Sequence, residues 1–301
     1  MLELRDITKS YGEIVAAAGV SFRLHPGEML GFVGSNGAGK TTCMRIVLGL
    51  LEPDRGEVEW NGRPVDSNTR RRFGYMPEER GLYPKMRVAN QVAYFGRLHG
   101  LGKEEASAAA GRLLERLGVE ERADDRVEAL SLGNQQRVQL ATAMVHDPDA
   151  MILDEPFSGL DPVGVDVLTE VLRDRVEAGV PVVFSSHQLE LVERICDSVV
   201  ILHNGRVVAE GPVHEVRAER SDRTLRVEVD GALPGWEASI PGVQVVSRSN
   251  GSVLLRLGDG VDDQSVLAVA RGAGRVTYFS SARPSLVDLF RSVVGSDRGT
   301  E

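Results

Sequence analysis

The stretch Met29-Leu-Gly-Phe-Val-Gly34-Ser-Asn-Gly-Ala-Gly39-Lys40-Thr41-Thr42 decides the fold. Met29–Val33 is a short apolar run of strand length, the pattern of a strand covered on both faces. Gly34–Gly39 is a glycine-rich loop, and Lys40 to about Leu51 has helical spacing, broken at Pro53–Gly56. Between strand and helix lies the pattern G-x4-G-K-[ST], which cradles phosphates for physical reasons. Glycines let backbone N–H groups turn toward an anion with no Cβ in the way, and the helix aims its positive N-terminal end at the same point. Lysine at 40 reaches the β- and γ-phosphates, and the hydroxyl at 41 supplies an oxygen to Mg²⁺. Gly34, Ser35, Asn36, Gly37, Ala38, Gly39, Lys40, Thr41 and Thr42 are therefore the candidate nucleotide contacts, with ATP and Mg²⁺ as the expected cofactors.

A second site follows at Ala150-Met-Ile-Leu-Asp154-Glu155-Pro156, an apolar strand ending in two acids. Asp154 suits Mg²⁺, because hard cations take oxygen ligands. Glu155 is then placed to orient or deprotonate an attacking water. Such a strand end also serves as a helix N-cap; the phosphate loop upstream favours the catalytic reading.

Working outward, residues 1–220 alternate strands and amphipathic helices, the texture of a layered α/β domain. Helices are expected at Val88–Leu98, Lys103–Leu117, Gln135–His146 and Val163–Ala178, and a further strand at Val180–Ser185. The texture changes near Ser221. Leu225–Val229, Val243–Ser247, Val253–Leu257 and Val276–Phe279 read as strands, with helices at Gln264–Arg271 and Leu286–Val294, so 222–301 is expected to be a small α+β domain of its own. Gly295–Glu301 reads as a frayed tail. Trp236, beside Pro234–Gly235, reads as a packed turn residue or, less simply, a ligand platform.

The chain has 301 residues and 42% apolar content, enough for about two soluble domains. No apolar run approaches the roughly 18–20 residues that cross a bilayer, and the N-terminus has no leader pattern. A cytoplasmic chain is expected, whose membrane spans, if it acts at a membrane, belong to a partner. The net charge of −9 argues against a nucleic-acid partner. Cys43 and Cys196 have no pairing or metal-ligand spacing and read as buried thiols.

With these motifs in order, the chain resembles the nucleotide-binding subunits of ATP-binding cassette (ABC) proteins over about residues 1–217. Leu130-Ser131-Leu132-Gly133-Asn134-Gln135-Gln136-Arg137 resembles the family signature LSGGQ, Ser158-Gly-Leu-Asp161 resembles the D-loop, and Ser185-Ser-His187 resembles the switch region. The resemblance implies that Tyr11 stacks on adenine and that His187 contacts the γ-phosphate. It also implies that Ser131, Gly133 and Asn134 close the phosphate site of a second cassette, and that Asp161 lies at the dimer seam. His25, His99, His146, His203 and His214 are left as surface or core residues. The family fold separates Ser131 from Lys40 within one chain, so a head-to-tail homodimer is implied.

Two positions depart from the pattern. Leu132 stands where the family usually has Gly, and Glu78, after the strand Arg72–Met76, stands where it usually has Gln. A carboxylate at 78 also suits Mg²⁺ or water, and equally suits a solvated loop. The string PEERGLYPKM and the ending Pro284-Ser-Leu-Val-Asp-Leu-Phe290 resemble a subgroup serving ABC-2 type exporters, such as those for sodium or drugs. The resemblance thus implies an ATPase subunit, peripheral on the cytoplasmic face of the plasma membrane, bound to integral-membrane permease subunits through about Gly81–Gly100. Leu82, Tyr83, Met86 and Phe95 are the exposed apolar candidates there, or else ordinary core and helix packing. Two other readings compete with this one. A DNA-repair or ribosome-acting ATPase of this fold carries coiled-coil insertions or two cassettes, which this chain lacks. A nucleotide-binding regulator that does not hydrolyse ATP sits badly with intact Asp154, Glu155 and His187.

Overall fold

The computed structural model describes residues 1–219, 224–233, 235–249, 252–258, 260–282 and 285–290. The chain divides into two compact units, Met1–Val213 and His214–Glu301. The expected boundary near Ser221, Pro234, Pro284, the end of the last expected helix and the tail Gly295–Glu301 lie outside the described residues.

The first unit opens with two long strands, β1 (Leu2–Tyr11) and β2 (Ile14–Leu24), joined by a tight turn that pairs Tyr11 with Ile14. The phosphate-loop strand β3 (Met29–Gly34) leads into α1 (Lys40–Val47), which is shorter than expected. The helix stops there because Gly49 turns left-handed at φ 66°. Next come β4 (Arg55–Trp60), β5 (Arg63–Pro64), α2 (Ser67–Arg70) and β6 (Phe73–Met76). A helical region, α3 (Val88–Leu98) and α4 (Lys103–Arg116), precedes α5 (Leu132–Met144). The unit ends with β7 (Ala150–Leu153), α6 (Pro162–Glu177), β8 (Val182–Ser186), α7 (Leu189–Ile195), β9 (Ser198–His203) and β10 (Arg206–Pro212).

Two sheets form. One is antiparallel, in the order β2-β1-β4-β5. The other has the order β10-β9-β3-β8-β7-β6; all its pairs are parallel except the edge pair β9–β10. Every residue of β3, β7 and β8 is buried, which explains the apolar spelling of β3, of β7 and of Val182–Phe184 in β8. Leu4, Ile7 and Phe22 of the antiparallel sheet share one core with Phe32 and with Cys43 and Ile46 of α1. The Phe22 and Phe32 rings lie 5.2 Å apart within it. This arrangement sets β3, β8, β7 and β6 side by side, so the loops leaving their carboxyl ends converge on one crevice.

The second unit contains α8 (Val213–Glu219, its first residue being the last of unit one), then β11 (Thr224–Asp230), β12 (Val243–Ser249), β13 (Ser252–Leu257), α9 (Asp263–Ala273) and β14 (Arg275–Ala282), with residues 286–290 helical. Its sheet is antiparallel, ordered β12-β13-β11-β14. Leu225, Val227, Leu255 and Val266 form its core, against which Trp236, the first residue of a short 3-10 helix (Trp236–Ser239), packs half-buried. Among the described residues no helix is long and apolar enough to cross a membrane. Cys43 and Cys196 are free and buried, and burial pushes the Cys43 thiol up to about 12.

Candidate functional site

A cleft of about 340 Å³ opens at the carboxyl edge of the parallel sheet. Its walls are Ala16, Asn36, Gly37, Gly39, Lys40, Thr41, Thr42, Glu78, Asp154 and Glu155. Residues from four separate stretches of sequence thus meet in one place, each delivered by the end of a strand or by the helix behind it.

Glycine is required at two loop positions by packing as well as by anion access. A Cβ on Gly39, at φ 105°, would run into the carbonyl oxygen of Ala16, and one on Gly34 would strike that of Leu202. Gly39 caps α1 without any side-chain hydrogen bond, so the first-turn N–H groups are left for an anion. Lys40 is 7% exposed, and its Nζ donates to the Gly34 carbonyl at 2.8 Å and the Ser35 carbonyl at 3.2 Å. Burial lowers its pKa, opposed by the nearby charges of Glu155, Asp154 and Glu78.

Asp154 is 1% exposed. Its Oδ1 accepts from Ser185 Oγ at 2.5 Å, while its buried Oδ2 has no hydrogen-bond partner. A buried carboxylate oxygen left open toward a cleft fits a cation ligand. Among the described residues no group of three or more His, Cys, Asp or Glu could hold a metal unaided. A cation here would therefore take its remaining oxygens from water, a hydroxyl or a bound phosphate. Three acids against one lysine also give the cleft a net negative charge, which repels a polyphosphate unless a divalent cation accompanies it.

Glu155 has a left-handed backbone, φ 51°, rare for a residue without a short polar side chain. Its N–H donates to Ser185 Oγ at 2.8 Å. Its Oε1 lies 3.0 Å from His187 Nδ1. His187 is not among the residues lining the cleft and meets the site through Glu155.

Other expected residues lie elsewhere. Tyr11 stands half-exposed at the β1–β2 turn, outside the cleft wall. Ser131, Gly133 and Asn134 sit at the start of α5 and do not line this cleft; the Ser131 hydroxyl accepts the Asn134 N–H at 3.3 Å as a helix cap. Leu132 beside them is 58% exposed. Asp161 caps α6, accepting from the Gly164 N–H at 2.7 Å. The apolar surface expected near Gly81–Gly100 needs correction: Leu82, Met86 and Phe95 are half-buried, whereas Tyr83, Tyr94 and Leu98 are exposed. The rings of Tyr83, Tyr94 and Phe95 pack together with centroids 5.9–6.4 Å apart, which draws Phe95 inward.

The chain is 38% identical over 296 residues to the uncharacterized ABC transporter ATP-binding protein YhaQ of Bacillus subtilis, covering 98% of this chain and 99% of that one. It belongs to the ABC transporter ATP-binding proteins. The ABC transporter family model matches residues 17–158 of this ABC subunit, and the model of the DrrA1-3-like ATP-binding protein C-terminal domain matches 211–294. The Nod factor export ATP-binding protein I of Burkholderia lata is 38% identical over 216 residues, 71% of each chain. The dimeric structure of the bacterial ABC transporter cassette MJ0796 superposes with a TM-score of 0.65 at 26% identity, over 71% of this chain and 99% of that one. A second structure of that cassette is a post-hydrolysis state bound to ADP and Pi. This ABC subunit is accordingly an ATP-binding and ATP-hydrolysing protein.

Sequence reasoning missed the scaffold of the ABC site. Ser185 tethers both acids, and Gln136 and Gln139, 4% and 2% exposed, point their amides from α5 into the Glu155–Pro156 and Pro77 carbonyls. Their i, i+3 spacing was the available signal, since it puts two amides on one helix face.

Proposed function

We propose that this chain is the motor subunit of an exporter, working as a head-to-tail homodimer on integral-membrane permease subunits. The observation that carries the reading is the single cleft in which Lys40, Thr41, Glu78, Asp154 and Glu155 meet while Ser131 and Gly133 stay outside it. A phosphate site complete on one side and a donor-bearing helix start left facing elsewhere call for a second cassette to bring its own signature.

In this reading Gly34 through Thr42 wrap the phosphates, Lys40 leaves its loop carbonyls for the β/γ-phosphates, and Tyr11 stacks on adenine. Thr41, Asp154 and Glu78 are the residues that would hold Mg²⁺, which offsets phosphate charge when bound. Glu155 orients the attacking water and accepts its proton as the water oxygen bonds to the γ-phosphorus and ADP departs. His187 steadies the Glu155 carboxylate and contacts the γ-phosphate. Ser131, Gly133 and Asn134 of the other copy supply donors across the seam, beside Asp161. ATP binding closes the pair and hydrolysis opens it.

Tyr83, Tyr94 and Leu98 are the exposed apolar face proposed to meet the permease, holding the subunit at the cytoplasmic face of the membrane. We take 1–220 as the ATPase domain and 222–301 as an accessory α+β domain that braces the dimer or its partner.

Mixing two inactive variants tests the arrangement. Lys40→Ala spoils the phosphate loop and Ser131→Arg blocks the signature. Mixed dimers contain one site with both halves intact, so the mixture is expected to regain turnover that neither variant shows alone. A mixture as inactive as its components would contradict the head-to-tail site.

A further inference from the structure

The helix that starts with the signature residues is tied by side-chain amides to the acid strand of its own chain. Gln135 Nε2 donates to the Val127 and Leu130 carbonyls, 3.2 Å each, and so holds the segment that runs into the Ser131 cap. One residue on, the amide of Gln136 spends both hydrogens on the acid strand's exit, reaching the Glu155 carbonyl at 3.1 Å and the Pro156 carbonyl at 3.0 Å. On the same face Gln139 Nε2 donates to the Pro77 carbonyl at 2.7 Å, immediately before Glu78.

The peptide gripped by Gln136 is the strained one. A glutamate at φ 51° persists where its surroundings hold it there. Three groups do so: Ser185 Oγ on its N–H at 2.8 Å, and the Ser158 N–H at 3.1 Å and the Gln136 amide on its carbonyl. Of the three, Gln136 alone comes from α5.

We infer that Gln136 is a positioning residue for Glu155 and makes α5 a link between the signature end and the water-orienting acid of the same chain. This rests on the head-to-tail reading, in which the signature of one chain faces the nucleotide held by the other. A γ-phosphate engaging Ser131–Gly133 then pulls on α5, and Gln136 transmits the displacement to the Glu155–Pro156 peptide. Glu155 serves its own chain's cleft. Filling one nucleotide site thereby sets the aim of the acid at the other.

Gln136→Leu, which keeps the volume and deletes the amide, tests this on the full chain. The proposal expects unchanged affinity for a fluorescent ATP analogue, a fall in kcat of about 10- to 100-fold as when a group orienting a catalytic residue is removed, and a Hill coefficient for ATP dropping toward 1. Wild-type kcat and cooperativity would overturn it. So would a parallel loss of nucleotide affinity, thermal stability and kcat, which marks mere scaffolding. Should Gln136→Leu fail to fold, hydrogen exchange of Glu155→Gln protein with Gln136 intact decides: the Ser158 amide, bonded to the Glu155 carbonyl, is expected to change its protection when ATP is added. Constant protection there overturns the link. The head-to-tail reading fails separately, by the mixing experiment, so the two failures are distinguishable.

Discussion

His187 Nδ1 and Glu155 Oε1 lie 3.0 Å apart, with the glutamate carried on a left-handed backbone that turns it from the buried strand into the cleft. The imidazole thus lies against a carboxylate that is itself almost wholly buried. Replacing Glu155 by Gln keeps size and shape and removes the proton acceptor. ATP affinity is expected to stay and turnover to fall by about 10²–10⁴, the usual contribution of general-base catalysis. Phosphate release measured beside nucleotide binding checks both halves, and wild-type turnover would remove Glu155 from its role.

Lys40 is turned back onto the Gly34 and Ser35 carbonyls at 2.8 and 3.2 Å, contacts that the proposed phosphate role would have it exchange for a better acceptor. A charged hydrogen bond contributes about 1.5–3 kcal/mol. Lys40→Ala is therefore expected to weaken ATP binding by at least about 10- to 100-fold. Isothermal titration measures this; undiminished affinity would dismiss the phosphate-loop assignment.

Glu78 adds a third acid to a cleft that holds Asp154 and Glu155. Glu78→Gln keeps an oxygen ligand and reduces repulsion of the phosphates, so kcat is expected to stay within about tenfold, under about 1.4 kcal/mol. A Mg²⁺ titration of turnover provides the check. Collapse of the Mg²⁺-dependent rate would show that the charge itself is needed.

His146 stacks on His99, centroids 3.7 Å and planes 12° apart. Burial, and then the neighbouring His99, pushes its pKa from 6.5 down to about 4. The folded chain thus favours the neutral ring. Above pH 6.5 neither state is protonated and there is no penalty; between 6.5 and about 4 the unfolded chain binds a proton the folded chain refuses, so stability falls as pH falls. Allowing for partial solvent exposure, the loss is about 1–3 kcal/mol. His146→Phe keeps the stack and is expected to flatten that slope in urea unfolding at about pH 7 and about pH 5. Equal slopes would reject the assignment.

How far the sequence could be read depended on the kind of signal. β3, β7 and the loops after them were legible, because a strand buried on both faces spells an apolar run and the chemistry at its end needs Gly, Lys or acids. The antiparallel sheet was not read: Asp6 at φ 50° and the register shifts between Leu4 and Ile7 interrupt the alternation of β1. The start of α5 was expected at Gln135 and lies at Leu132, because Leu-Gly-Asn is a poor helix opening that the Ser131 cap rescues. The stack of His99 on His146, and the grip of Gln136 on Glu155, join residues distant in sequence and depend on packing that no local pattern encodes. The same packing turned Leu82, Met86 and Phe95 inward and left Tyr94 and Leu98 out.

The central claim is a nucleotide site completed by a second chain, and the size of Glu155→Gln protein with and without Mg-ATP tests it most directly. The account predicts a monomer without nucleotide and a dimer with it, since binding closes the seam and the blocked base cannot reopen it. A species of the same size under both conditions would contradict the account.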